Sequence, residues 1–330
     1  MIKRLSTILI AVIASISVVA QDPEFTQFYA SPLYLNPALA GATRCPRMAL
    51  NYRDQWPALK GQFTTTAVSY DQFVDAMQGG IGLLVVNDQA GQNIMNTLNA
   101  SAIYSYQLNI SREVAAKIGI QATFTQRKYD FSNLLLGDNI DPRYGFIYKT
   151  SESFGQDTRI IPDFSTGVLV YSSRMYGGLA FHHLTEPSQS FLSSTTESKL
   201  PLKITAHYGT VIYLGKDKRN PTGYISPNAL YRQQAGFNQL NLGIYAGRGP
   251  FIGGIWFRGT VNSWDQFIGS DSFILLAGIQ QGIFKLGYSY DITVSRLAGE
   301  SAGSHEISLG LQFECRPKKK RFKTIKCPVF

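Results

Sequence analysis

Few side chains in this sequence are of the kinds that perform catalysis, and their spacing suits it poorly. The four histidines are His182, His183, His207 and His305. His182 and His183 are adjacent in a stretch of strand character, where neighbours point to opposite faces, so they are not expected to line one site. No His-Glu-x-x-His pair or phosphate-binding loop occurs. Asp138-Asn139-Ile140-Asp141 gathers oxygen ligands, but it lacks the spacing and glycine of a calcium loop and reads as a solvated loop. The expectation is a non-enzymatic protein without metal or cofactor.

Charge is distributed more informatively. Formal net charge is +9, from 31 cations and 22 acids. Two cations, Lys3 and Arg4, precede an apolar run from Leu5 to Val19 that ends in Val18-Val19-Ala20 before polar Gln21-Asp22-Pro23. This is the pattern of a cleaved export signal over residues 1–20, and the run is shorter than the ~20 residues of a spanning helix. Seven more cations, Arg316, Lys318, Lys319, Lys320, Arg321, Lys323 and Lys326, form a tail without acids, which leaves residues 21–315 neutral. Such a tail suits anionic lipid headgroups, cell-wall material or an acidic protein surface; the alternative is a solvated extension. Nucleic acid is not an expected partner of an exported chain. Arg316, Lys318, Lys319, Lys320, Arg321 and Lys323 are the candidate partner-binding residues. The cysteines are Cys45, Cys315 and Cys327. Cys315–Cys327 is the expected disulfide, closing a loop around the basic cluster; pairing with Cys45, or three free thiols, are the alternatives.

The elements between leader and tail read as strands. Val114, Ala116, Ile118, Ile120, Ala122 and Phe124 alternate with Ala115, Lys117, Gly119, Gln121 and Thr123, and Ile307, Leu309, Leu311 and Phe313 alternate with Ser308, Gly310 and Gln312. Strict alternation places one face on an apolar medium and the other on a polar one. Fourteen such segments are predicted: 47–55, 62–71, 79–88, 96–107, 113–127, 163–172, 175–184, 201–213, 222–233, 238–247, 250–259, 272–281, 284–293 and 304–314. Most have the ~9–11 residues of a tilted membrane-crossing strand. Connections after even-numbered segments are short, and those after segments five, seven, eleven and thirteen are long, as in outer-membrane barrels with short periplasmic turns. Tyr70, Tyr106 and Phe313 end descending segments where an aromatic girdle belongs, with Tyr171 and Tyr213 at the same level but out of phase. The fold class expected is all-β, a transmembrane antiparallel β-barrel of about 14 strands over residues 47–314. An N-terminal segment, 21–46, would lie in the lumen or across the periplasmic mouth, and a basic periplasmic tail would occupy 315–330. Both termini are expected in the periplasm.

Motifs around this framework carry a family resemblance. Asp22-Pro23-Glu24-Phe25-Thr26-Gln27-Phe28, then Pro32, Asn36-Pro37-Ala38 and Gly41, resemble the opening of the PorP/SprF family of type IX secretion and gliding proteins. Tyr52-Arg53-Asp54-Gln55-Trp56-Pro57 and Leu136-Gly137-Asp138-Asn139-Ile140-Asp141-Pro142 continue it, and the tail from Cys315 to Cys327 is most similar to the SprF members. The resemblance implies a barrel that is not itself the translocation pore. It would aid export or surface attachment of an adhesin with a C-terminal sorting domain, and would contact periplasmic or lipoprotein components of the machine. A general porin or solute-uptake barrel is the alternative. Loops 128–162, 184–201 and 259–272 would face the adhesin.

Overall fold

Alternation of apolar and polar residues becomes two faces of one closed sheet. The computed structural model describes residues 22–59, 61–91, 94–130, 140–141, 143, 145–146, 158–190, 198–215, 222–263, 266–294 and 301–315. The leader, the basic tail with Arg316, Lys318, Lys319, Lys320, Arg321 and Lys323, the thiol of Cys327 and the Asp138-Asn139 pair lie outside the described residues.

Fourteen strands form the wall: β1 Arg47–Gln55, β2 Phe63–Val74, β3 Gly79–Ala90, β4 Met95–Asn109, β5 Ala115–Tyr129, β6 Thr158–Tyr171 and β7 Met175–His182, then β8 Lys203–Thr210, β9 Gly223–Gln234, β10 Phe237–Arg248, β11 Phe251–Ser263, β12 Gln266–Gln281, β13 Phe284–Thr293 and β14 Ser304–Gln312. Each strand is antiparallel to its neighbours. The barrel closes where β14 returns to β1, in a register running from Arg47 opposite Gln312 to Gln55 opposite Ser304. The outward face carries Leu50, Leu83, Ile118, Ile120, Phe124, Val168, Leu179, Ile244, Ile255, Leu275, Leu286 and Ile307, all exposed. Such a contiguous apolar belt suits hydrocarbon rather than water. Inward positions are polar and buried, among them Asn51, Arg53, Asp71, Lys117, Gln121, Asn228, Arg232, Arg258, Asp291 and Glu306. No described helix is long and apolar enough to cross a membrane.

Several boundaries differ from those predicted, each for a local reason. The sixth strand begins at Thr158, five residues before the expected 163, and contains Pro162. Proline is tolerated there because β7 pairs with β6 only from Thr166 to Tyr171, which leaves Pro162 with a strand neighbour on one side. The eighth strand pauses at Val211 and resumes as Ile212–Leu214 opposite Gly223–Ile225; the break falls where the register brings Thr210 and Val211 to Pro227 and Ser226 of β9, and Pro227 has no N–H to donate. The Ser226 hydroxyl bonds the carbonyl of Thr210 instead, at 2.7 Å. Residues 259–272, expected as an external loop, are largely strand: β11 and β12 run past the predicted ends through register shifts after Arg258, Thr260 and Val261. Bulges shift the phase, which hid the strand from a period-two reading. Tyr70, Tyr106, Tyr213 and Phe313 are exposed as a girdle requires, but Tyr171 is buried and its hydroxyl donates to Gln107 Oε1 at 3.2 Å.

The mouth reached by the even-numbered connections is here the turn mouth, and the opposite one the loop mouth. At the turn mouth a disulfide joins Cys45 to Cys315, with Cα atoms 4.4 Å apart, so Cys315 is not paired with Cys327 as expected. Barrel closure is the cause: Cys45 immediately precedes β1 and Cys315 follows β14, and pairing of those two strands sets their ends side by side.

Candidate functional site: a lumen filled by the N-terminal arm

The non-alternating segment before β1 occupies the barrel interior. Along this arm Phe25, Thr26, Gln27, Phe28, Leu33, Leu35, Asn36, Ala38 and Ala40 are all buried. Two short turns shape it, a four-residue helix at Pro32–Leu35 and a 3₁₀ turn at Pro37–Leu39. Each has proline in its first turn, where no N–H is required. Asn36 caps the second turn, accepting from the Ala38 amide at 2.9 Å. Its Nδ2 faces the carbonyls of Val168 and Leu179 on β6 and β7, each at 3.2 Å, and His207 Nε2 at 3.2 Å.

The wall under this segment is pared down to glycine. A Cβ at Gly80 would strike the carbonyl of Ala40, one at Gly119 the Pro37–Ala38 peptide, and one at Gly167 the Asn36 side chain. Backbone of the arm therefore lies directly on backbone of the wall, which only glycine allows. Apolar rings fill the rest: Phe28 meets Trp256 edge-on at 5.3 Å between centroids, and Tyr29 meets Tyr176 at 5.5 Å.

Three polar latches hold the arm along its length. Midway, Glu306 accepts from the amides of Thr26 and Gln27 at 2.6 and 3.0 Å, and Asp291 accepts from the Thr26 hydroxyl at 2.8 Å. Arg53 Nη2 and Arg258 Nη1 reach Asp291 Oδ2 at 2.8 and 3.1 Å, so two guanidinium groups balance two carboxylates where none is exposed to bulk water. Toward the turn mouth, Asp71 takes the Gly41 amide at 2.8 Å and the Arg47 guanidinium at 2.8 and 3.1 Å, and the Lys117 ammonium donates to the Ala40 carbonyl. Toward the loop mouth, Asp22 Oδ2 contacts Lys203 Nζ at 3.0 Å and His183 Nε2 at 2.8 Å, while His183 Nδ1 contacts Asp163 at 2.7 Å. Glu24 pairs with Arg232 at 3.3 Å and accepts from Gln239 at 3.0 Å.

Charge states follow from these neighbours. Burial alone would raise the Asp22 carboxyl, but Lys203 and His183 beside it hold it well below the usual carboxylate range. Burial likewise opposes ionisation of Glu24, and Arg232 and Arg258 override it, lowering its pKa to about 2. Burial would lower the His183 imidazolium, yet Asp22 and Asp163 on its two nitrogens raise it to about 9.

The latches also give the arm a direction. Asp22 touches residues flanking the seventh connection, whereas Cys45 is tied to Cys315 beside the even-numbered turns. The arm thus threads the barrel, and its first described residue and the last one of the wall lie at opposite mouths. Two ends on one side, as expected from the sequence, do not describe Asp22 and Cys315. His182 and His183 likewise depart from expectation, since both line one polar lumenal pocket with Asp22, Gln121 and Lys203. His183 has φ of +61°, so the chain leaves strand geometry there and the alternation argument fails. Sequence reasoning allowed the arm a place in the lumen, but it named only tail residues as partner-binding and none of the lumenal residues that hold the arm. Their signals were charged residues at lumenal positions of the strands, Arg53, Asp291 and Glu306, and glycines in the same phase opposite small arm residues.

Solved outer-membrane proteins are among those similar to the chain. Omp33 of Acinetobacter baumannii is 7% identical over 82% of this chain and 100% of its own, with a TM-score of 0.43. The CymD monoaromatic hydrocarbon channel is 10% identical over 86% and 93%, at 0.46. The KdgM porin is 7% identical over 81% and 99%, at 0.35. These likenesses are too remote to bear on what the lumen does. No curated protein matches the chain. The match that carries identity runs over residues 17–311, almost the whole barrel and its arm: this outer-membrane β-barrel belongs to the PorP/SprF family of type IX secretion system membrane proteins.

Proposed function

We propose that the protein serves type IX secretion as a binding platform, aiding export or surface attachment of an adhesin with a C-terminal sorting domain, and not as a conduit. One observation carries the reading: the lumen is filled by the chain's own arm, latched at three levels and seated on glycines. A solute pore, the alternative expected from the sequence, requires that arm to leave. With the short even-numbered connections in the periplasm, the loop mouth faces outward toward cargo and Cys315 faces inward. The tail that follows, with Arg316, Lys318, Lys319, Lys320, Arg321 and Lys323, then docks periplasmic or lipoprotein components, or anionic lipid headgroups of the outer membrane. No step requires catalysis or a cofactor.

Affinity purification of a tagged copy in mild detergent tests the reading. Secretion components or a large adhesin should co-purify, and deletion of residues 316–330 should spare barrel insertion while weakening that assembly. A barrel that purifies alone and conducts stably in a planar bilayer overturns the platform in favour of the pore.

A further inference from the structure

Beyond Asp22, the first described residue of the arm, the described residues leave a basin of about 560 Å³ toward the loop mouth. Its floor is Asp22, Pro23 and Glu24; Asp88, Asp271 and Ser272 stand in its walls, and Trp56, Phe63 and Phe237 bring rings to it. The acids divide into two groups. Asp22, Glu24 and Asp291 each have a cation in contact. Asp88 and Asp271 do not: Asp88 accepts from the Thr65 hydroxyl at 2.6 Å and Asp271 from the Thr260 hydroxyl at 2.7 Å, and neither forms an ion pair among the described residues. An ionised carboxylate has about four acceptor positions, so one hydroxyl leaves most of them unfilled. Ser272 provides an independent sign. The residue is 5% exposed, yet its Oγ has no hydrogen-bond partner, and it lines the same basin. A buried hydroxyl without a partner costs free energy unless a ligand supplies one.

We infer that this basin is a recognition site for a basic side chain, lysine or arginine, next to an apolar residue on a polypeptide arriving at the loop mouth. The inference rests on the platform reading and names what its outer face selects. Surplus carboxylates choose the cation, and an anionic ligand would have to displace Asp291 from Arg53 and Arg258. Rings at the rim suit a guanidinium or ammonium with an apolar neighbour, through cation–π and stacking contacts. The volume falls within the range of pockets that enclose a ligand of a few residues. A metal ion is a poorer occupant, because no cluster of three ligating side chains exists among the described residues.

The test uses the full chain in lipid nanodiscs and titration calorimetry with three probes: the blocked tetrapeptide Arg-Phe-Arg-Phe, its Glu-Phe-Glu-Phe counterpart, and spermidine. The basic peptide should bind at least tenfold more tightly than either of the others, and added salt should weaken it. Asp88→Asn with Asp271→Asn, which keep the shape and the threonine contacts, should weaken it at least tenfold. Phe237→Leu should weaken it severalfold, and this single rim change covers the case in which the double variant does not insert. Equal binding of the acidic peptide, spermidine as tight as the peptide, or variants that bind as the parent does would each overturn the assignment. If secretion components co-purify with a parent chain that ignores the basic peptide, the basin fails and the platform stands.

Discussion

Gly119 shows how a single missing atom organises the lumen. Its φ requires nothing unusual, but any Cβ there would overlap the Pro37–Ala38 peptide. Gly119→Val should lift the arm from the wall while leaving a barrel of normal heat-modifiable mobility. Limited proteolysis should then cut within residues 22–46, whereas Gly61→Val, at a site with open space around it, should leave the arm protected. His183 makes a second residue-scale prediction. Its pKa is raised to about 9 from 6.5 by Asp22 and Asp163 against the opposing effect of burial, with Lys203, His182 and Tyr34 as the other titratable groups in the same pocket. A raised folded-state pKa gives stabilisation that is complete below about pH 6.5 and lost as pH climbs through 9. The gain is at most on the order of 3 kcal/mol. Asp22 works in the opposite sense: its contribution is present above about pH 4 and falls away in stronger acid. Hydrogen exchange of arm amides near Asp22 should therefore quicken between pH 6.5 and 9 beyond the intrinsic rate, and His183→Gln should abolish that excess. An exchange profile unchanged by that substitution would mean the latch does not hold the arm.

At the scale of elements, the wall was legible in the sequence, whereas the arm could be placed only in the lumen or across a mouth, without its path or its contacts. Alternation such as Ile118, Ile120 and Phe124 against Lys117, Gly119 and Gln121 is a local property of each strand, so all fourteen could be found from pattern alone. Failures came where phase was broken: the bulges after Arg258 and Thr260, and the positive φ at His183. The arm has no period, and its conformation is set by contacts with strands more than two hundred residues away, as in Thr26 with Asp291. The charged lumenal positions Arg53, Asp291 and Glu306 were visible, but nothing local pairs them. Their dependence on one another is testable. Arg53→Ala leaves the Asp291 and Glu306 carboxylates short of a cation where they are buried, which costs about 3–5 kcal/mol. Removing the whole arm, residues 22–43, takes Thr26 from the same latch and empties the lumen. That deletion should conduct in a planar bilayer, and the intact chain should not; a silent deletion would mean that something other than the arm closes the pore.

For the molecule as a whole, the disulfide and the seam between β1 and β14 are one device. Cys45–Cys315 spans a separation of 270 residues and fastens the strands that close the barrel. Loop-closure arguments allow up to ~5 kcal/mol for so long a loop, and less here because strand pairing already brings the ends together. Peptide mapping under non-reducing conditions should recover Cys45 linked to Cys315. Cys45→Ser should lower the thermal transition without changing the unheated mobility. Recovery of Cys315 linked to Cys327 instead would contradict the arrangement. The sequence placed all three cysteines outside the strands, but choosing among them required knowing which strand ends meet, a property of closure and not of any segment.

The threaded arm carries a consequence for how the molecule is made. Residues 22–46 directly precede β1, so they leave the export channel before any strand does, while the partner of β1 leaves last. A cylinder already sealed would have to admit the arm end-on from the turn mouth, with Asp22, Glu24 and Phe25 carried past the charged ring of Arg53, Arg258 and Asp291. The simpler order has the strands curl around the arm as a mandrel, with the β14-to-β1 seam zipping last and the sulfur bridge sealing it. Assembly and plugging are then the same event, and an empty form of this barrel is never a step on the way to the filled one.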